Sequence, residues 1–418
     1  MKSIFSENLK SPFRSDAEEI ITSSVSAVLP DAAVMRALAG FQKGSGKVIL
    51  LAVGKAAWHM ASAAVRALGH VDAGLVITKY GHAAGSIPGV QCLEAGHPVP
   101  DEHGFQATEK ALALTADLTP DDTVLFLLSG GGSALFEKPL IGEDELQDIT
   151  GQLFAAGASI IEINTIRKRL SGVKGGRFAE HCLPARVFSI ILSDVVGDTV
   201  DMIASGPACP DSSTCGQALA IASKYGLHLS KQAEDCLHIE TPKTLDNVEN
   251  HITGSVRELC QAAANAAEKR GYRPVLLTDC MTCEAREAGR LLGSILKTHA
   301  GDGEKLAFIA GGETVVHVTG SGKGGRNQEL ALAAAQEISG IPNAALFSVG
   351  SDGTDGPTDA AGGFVDGAAL AALQANGLVL SEVLQNNDAY TALKAAGGLI
   401  TTGPTGTNVN DVAVGLIG

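Results

Sequence analysis

Several glycine-rich and acidic strings hold the residues that could do chemistry. Lys55 stands in AVGKAA, directly after the apolar run KVILLAV. A lysine there sits beside the backbone N–H groups of a helix start, where an anion is attracted. LLSGGGSAL follows a second apolar run and offers Ser129, Gly130, Gly131, Gly132 and Ser133. Three glycines let the backbone approach a ligand, and successive amides can form an anion nest. SIILSDVVGDTVD closes a third run with Asp194, Asp198 and Asp201. Carboxylates at a strand end suit Mg2+ shared with substrate phosphates, with Asp194 and Asp198 as ligands. Asp194 could equally take a hydroxyl proton during phosphoryl transfer. Farther on, IAGGETVVHVTGSGKGGRNQELALAAA carries Glu313, Lys323, Gly324, Gly325, Arg326 and Asn327. Lys323 and Arg326 read as charge neutralisers for a moving phosphoryl group, Gly324 and Gly325 as its backbone cradle, and Glu313 and Asn327 as substrate ligands. GSDGTDGPTD presents Asp352, Asp355 and Asp359, either facing a Mg2+, with Asp352 as ligand, or a ribose, or making surface turns.

The string NTIRKRLSGVKGGRFAE holds Arg167, Lys168, Arg169, Lys174 and Arg177, with no acid between Glu162 and Glu180. In an acidic chain this basic island reads as a loop over a polyanion, with Arg167 and Lys174 on the substrate, or as an exposed helix face. AGHPVPDEHG displays His97, Asp101 and His103 on a proline-set loop, read as loop architecture or substrate orientation. Other chemistries find less support. The Walker pattern G-x-x-x-x-G-K-[ST] is absent, the G-x-S-x-G elbow does not fit GGGSAL, and the acidic loop lacks EF-hand spacing. GSGKGG does match G-x-G-x-x-G after a strand and before a helix, but no clean acid follows about 20 residues later. That match keeps a nicotinamide-dependent reductase as the alternative. Cys280 and Cys283 have C-x-x-C spacing without the second pair a zinc site needs.

These strings need elements to hold them. A chain of 418 residues suggests two domains, and 45% hydrophobic residues are enough for two real cores. A net charge of −15 and few aromatics argue against nucleic acid or an anionic membrane as partner. Neither an apolar run of 18 residues nor the apolar core of a leader peptide is present, so a cytoplasmic chain with reduced cysteines is expected. Residues 1–45 read as helical. Then short continuous apolar runs alternate with glycine turns and helical patterns, the signature of a largely parallel sheet buried on both faces. Polar, loop-like sequence over 205–250 places the domain break at 245, giving 1–245 and 246–418, with the last segment able to pack back on the first domain.

Taken in order, VGKAAWHMA, AGHPVPDEHG, LLSGGGSAL, NTIRKRLSGVKGGRFA, SDVVGDTVDMIASGP, AGGETVVHVTGSGKGGRNQELALA, GSDGTDGPTDAAGGFVD and GPTGTNVNDV resemble the type-2 glycerate kinase family. Some members have carried the name hydroxypyruvate reductase. The C-terminal part is similar to that family's MOFRL module. The resemblance implies an α/β protein of two domains, the first Rossmann-like, with the active site in the cleft between them. It implies that MgATP and D-glycerate give ADP and 2-phosphoglycerate, with Lys55 and Arg326 facing that cleft. The expected partners are these small molecules, with no nucleic acid and no membrane; a homodimer is left open. Beside this kinase stand the hydroxypyruvate reductase using NAD(P)H and a nucleotide-binding regulator without turnover.

Overall fold

The computed structural model describes residues 3–5, 10–197 and 199–418. They form two compact units, residues 33–253 and residues 1–32 together with 254–418. In the first unit the strands are β1 (Val48–Val53), β2 (Ala73–Lys79), β3 (Val90–Ala95), β4 (Thr123–Leu128), β5 (Arg186–Leu192) and β6 (Val248–Gly254); the apolar runs lie in the central β1, β4 and β5, while the edge strands β3 and β6 are mixed. The strand order is β3-β2-β1-β4-β5-β6. Strands β1 to β5 are parallel throughout. Side chains alternate across this sheet as strand geometry demands. Leu50, Ala52, Leu125, Leu127, Phe188 and Ile190 pack on one face under helix Ala57–Leu68. Leu51, Val53, Val124, Phe126, Leu128 and Val187 pack on the other, joined by Phe136 and Phe178. The chain winds one way from β1 to β3, then crosses back to β4 beside β1. That reversal opens a crevice beyond the carboxyl ends of β1 and β4, where open α/β sheets take ligands.

The other unit holds β7 (Arg273–Met281), β8 (Leu306–Gly312), β9 (Ala344–Gly350), β10 (Gly362–Asp366), β11 (Leu399–Ile400) and β12 (Asp411–Ile417), in the order β11-β10-β9-β12-β8-β7. Only β7 and β8 are parallel; β12 runs antiparallel to both β8 and β9, and β10 antiparallel to β9 and β11. The expectation of parallel pairing therefore fails here. A continuous apolar run reports burial on two faces, and helices cover both faces of this sheet whatever the strand direction. The final strand does not return to the first sheet but fills the centre of the second.

The units also depart from the expected 1–245 and 246–418. The break follows residue 253, and residues 1–32 belong with the C-terminal segment. Helix Arg14–Ala27 buries Ala17, Ile20, Ile21 and Val25 in the same cluster as Leu259, Ala263 and Ala267 of helix Val256–Lys269. Asp16 fixes the register, accepting from Tyr272 Oη at 2.7 Å and pairing with Arg270. Among the described residues, no single helix is long and apolar enough to cross a membrane.

Candidate active site

The carboxyl ends of β1, β4 and β5 converge on one glycine turn. Lys55 N donates to Gly130 O at 2.9 Å, and Ala56 N to Ser129 Oγ at 3.1 Å. Ser129 N in turn donates to Val53 O at 2.9 Å. These bonds lock the turn after β1 onto the turn after β4. Ser129 is buried and fully used as a staple, so it is a structural residue and not a ligand contact. The glycines that follow are required by their neighbours. A Cβ on Gly130 would collide with the Asp194 carboxylate, one on Gly132 would lie 2.6 Å from Ala204 Cβ, and one on Gly131 would lie 3.3 Å from Lys55 Cγ and 3.2 Å from His97 Nε2. Gly131 also holds φ +88°, the left-handed region that favours glycine. Among the described residues, the amides of Gly130, Gly131, Gly132 and Ser133 donate to no protein acceptor. Four unclaimed donors thus stand beside a half-buried lysine that makes no ion pair with any described residue.

Two titratable neighbours complete this cluster. Burial pushes the Asp194 carboxyl above its usual range, against the pull of its own amide and of Lys55. Burial, then the charges of Lys55, Lys79 and His82, hold His97 below the usual imidazole value, so it stands neutral near pH 7. His97 was legible only as a loop residue; its position beside Gly131 depends on β3 reaching the same edge. Asp198 lies outside the described residues. No three His, Cys, Asp or Glu side chains among the described residues are gathered to hold a metal.

The basic island is a set of internal counterions, which corrects the polyanion reading. Lys174 is fully buried; its Nζ lies 3.0 Å from Glu137 Oε2 and donates to Phe136 O at 2.8 Å. It cannot touch substrate. Lys168 is buried between Asp211 at 3.0 Å and Asp201 at 3.2 Å. Arg169, also fully buried, donates to Ser213 and Thr165 and lies 3.6 Å from Asp211. Arg167 donates to Ser133 O at 2.9 Å with Glu137 at 3.6 Å, so it braces the glycine turn. The compensating acids lie far off in sequence, which a local window cannot reveal.

In the other unit, Arg326 forks onto Asp411, Nε to Oδ2 at 2.5 Å and Nη2 to Oδ1 at 3.1 Å, while Nη1 lies 3.2 Å from Glu313. Glu313 also accepts from Asn410 Nδ2 at 3.1 Å. Burial raises the Asp411 carboxyl despite Arg326. The GSGKGG loop does not offer a phosphate cradle. The amides of Asn327 and Gln328, which start helix Arg326–Ala334, already donate to Asp355 at 3.1 and 2.8 Å. A Cβ on Gly320 or Gly322 would strike the backbone of Asn386 or the side chain of Asp388, and one on Gly325 would strike Asp355. One on Gly324 would press on Asn387 and Ala389 at 3.3 Å. These glycines exist for protein packing, so Gly324 and Gly325 are corrected from ligand to packing roles. Asn327 is buried, with Ser348 Oγ donating to its Oδ1 at 2.6 Å, and does not face a substrate either. Lys323 is exposed, its Nζ 4.4 Å from the Tyr390 ring centre. Asp355, pushed up to about 6 chiefly by burial, caps the helix; Asp352 accepts from Thr354 N at 2.8 Å and Asp359 from Tyr390 Oη at 2.7 Å. All three make turn or cap contacts, and among the described residues no group of metal-ligating side chains gathers around Asp352.

Residues 16–238 match a family described as a domain of unknown function, DUF4147, and residues 306–411 match the MOFRL family. The chain is 53% identical to a D-glycerate 2-kinase of Thermotoga maritima, over 96% of this chain and 97% of that one. It is 40% identical to a glycerate 2-kinase of Pyrococcus horikoshii, over 89% and 88%. A protein of Agrobacterium vitis named putative hydroxypyruvate reductase is 39% identical, over 96% and 93%. The crystal structure of a Thermotoga maritima glycerate kinase superposes with a TM-score of 0.93 at 51% identity, covering 97% of this chain and 99% of that chain. Family matches over residues 16–238 and 306–411, and relatives similar over most of their length, lead to one statement: the chain belongs to the glycerate kinase family that joins a DUF4147 domain to a MOFRL domain.

Proposed function

We propose that the chain is a glycerate 2-kinase, moving the terminal phosphoryl group of ATP onto the 2-hydroxyl of D-glycerate to give ADP and 2-phosphoglycerate. The observation that carries this reading is the run of unclaimed amides, Gly130 to Ser133, beside Lys55 at the β1/β4 crevice. Phosphoryl transfer asks mostly for positioning and charge stabilisation. Lys55 supplies a positive charge for the transferring group, and the glycine amides supply donors that need no reorganisation as charge develops. The hydroxyl O–H bond breaks as the O–P bond forms, and the old P–O bond breaks with its electron pair leaving on ADP. Asp194, with its raised carboxyl, suits acceptance of the proton.

Mg2+ fits this site in one way. Among the described residues, one half-buried carboxylate, Asp194, faces the glycine turn, and Mg2+ commonly takes one or two carboxylates, several waters and substrate phosphates. As the alternative to accepting the proton, Asp194 would hold an ion that arrives with the nucleotide, and that ion would neutralise phosphate charge. Arg326 and Lys323 are proposed for the remaining phosphate charge, with Glu313 on the hydroxy acid. We place the chain in a reducing compartment such as the cytoplasm, where its eight cysteines would remain thiols.

The reductase reading loses its main support, because Asp355 already takes the helix amides after GSGKGG. The deciding experiment measures ADP release from ATP with and without D-glycerate, with enolase identifying 2-phosphoglycerate. Release that requires D-glycerate upholds the kinase. NADH oxidation with hydroxypyruvate in the absence of ATP would overturn it, and nucleotide binding without glycerate-dependent release would make the chain a regulator.

A further inference from the structure

Beside the glycine turn lies a strained segment that the phosphate chemistry does not use. Ala204, Ser205 and Gly206 hold φ of 49°, 61° and 66°, three left-handed residues in succession. Only glycine adopts that region routinely, and then as a single residue. The surroundings enforce it. Gly175 N donates to Ser205 O at 3.0 Å and Gly176 N to Gly206 O at 2.7 Å. Ala204 Cβ occupies the space that a side chain at Gly132 would need. Non-glycine residues held this way persist where the geometry is put to use.

The turn delivers a fully buried hydroxyl, Ser205 Oγ, into a directed chain. Ser205 Oγ donates to Asn164 Oδ1 at 2.9 Å, and Ser133 Oγ lies 3.2 Å from Ser205 Oγ. A hydroxyl has one proton. Ser205 spends its proton on Asn164, so at the next link Ser205 accepts and Ser133 donates. Ser133 therefore points its own proton inward and turns only lone pairs outward. It is half-exposed at the end of the glycine turn, and Arg167 fixes its carbonyl. An acceptor there recognises a donor. The phosphates and the carboxylate that the glycine amides attract have none at neutral pH, whereas glycerate has two hydroxyls; the remaining donors of ATP, on its ribose and adenine, lie beyond the phosphates. The chain ends on an amide oxygen, which cannot take up a proton, so it cannot serve the hydroxyl that is deprotonated during transfer.

We propose that Ser133, oriented by Ser205 and Asn164, accepts a hydrogen bond from the 3-hydroxyl of D-glycerate, the hydroxyl that is not phosphorylated. This rests on the kinase reading above and names the group that makes a 2,3-dihydroxy acid preferred over a 2-hydroxy acid. Ser133 would touch substrate; Ser205 and Asn164 are positioning residues.

The test compares kcat/KM for D-glycerate and for D-lactate, which lacks only the 3-hydroxyl, in the wild type, Ser133→Ala and Ser205→Gly. Glycine suits φ 61°, so Ser205→Gly removes the hydroxyl while keeping the turn, and the relieved backbone offsets part of the cost of leaving Asn164 Oδ1 without its donor, so the variant should stay folded with a modestly lower Tm. Both variants should lower the preference for D-glycerate over D-lactate by about tenfold, the worth of one hydrogen bond. Equal losses on both substrates in Ser205→Gly would reduce the chain to a structural role, and an unchanged preference in Ser133→Ala would remove Ser133 from the 3-hydroxyl; either result overturns the proposal. A wild type that releases no ADP with D-glycerate would instead strike the kinase reading beneath it.

Discussion

Replacing Lys174 with methionine separates the structural account of the basic island from the substrate-binding account of the same residue. Lys174 and Glu137 are both fully buried, 3.0 Å apart, and Arg167 adds a second cation 3.6 Å from the same carboxylate. The Glu137 oxygens accept no hydrogen bond of good geometry, so charge holds this group in place. Lys174→Met leaves a buried carboxylate with Arg167 as its remaining partner and the Phe136 carbonyl without its donor. Breaking a buried pair from one side costs about 3–5 kcal/mol. Because Arg167 stays, the lower end applies, about 3 kcal/mol, which in a unit of this size lowers Tm by roughly 6–12 °C. Removing both charges in Lys174→Met with Glu137→Leu should recover part of that loss. Thermal unfolding reads the shift, and kinetics well below Tm should give KM values for ATP and D-glycerate close to wild type. An unchanged Tm with KM raised a hundredfold would return Lys174 to the substrate. The pH dependence follows with a definite sign. Burial holds the Lys174 ammonium down to about 8, against 10.5 in an unfolded chain. The fold thus disfavours its charged form, and the wild type should gain stability relative to Lys174→Met as pH climbs from 8 toward 10.5.

Other substitutions test the remaining roles. Lys55→Ala should cut kcat by about a hundredfold or more with little change in Tm, since the side chain makes no ion pair among the described residues; a normal kcat would remove it from the site. Asp194→Asn should raise the Mg2+ concentration needed for half-maximal activity severalfold, and an identical titration would reassign that carboxylate. Arg326→Ala should lower turnover by orders of magnitude and also lower Tm, because Asp411 loses its forked partner; Arg326→Lys, which keeps the charge, should recover more stability than activity, and full turnover in either would exclude Arg326 from catalysis.

Strands β1, β4 and β5 of the first sheet were readable because they are bounded apolar runs followed within two residues by glycine or aspartate, and burial on two faces writes itself into such runs; the edge strands β3 and β6 carry polar residues and were not. Lys55, the Ser129–Ser133 turn and Asp194 follow from the same rule, since each directly succeeds a strand. Strand direction in the second sheet was not readable, because β8, β9 and β12 have the same apolar character whether parallel or not. The first helix was misplaced because its partner, helix Val256–Lys269, lies over two hundred residues away. The basic island misled for the same reason. Its acids, Glu137, Asp201, Asp211 and Glu240, come from other segments, so the string looked uncompensated. In GSGKGG the glycines were genuine close-approach glycines, but what approaches is the segment around Asn386 and Asp388 and not a ligand. Residue type reports that a backbone is crowded; it does not report by what.

The most direct measurement is a crystal structure of the chain with a non-hydrolysable ATP analogue, Mg2+ and D-glycerate. An anionic oxygen of a ligand is expected within hydrogen-bonding distance of the amides of Gly130 to Ser133 and of Lys55 Nζ. Both ligands bound with those amides and Lys55 facing only solvent would contradict this expectation.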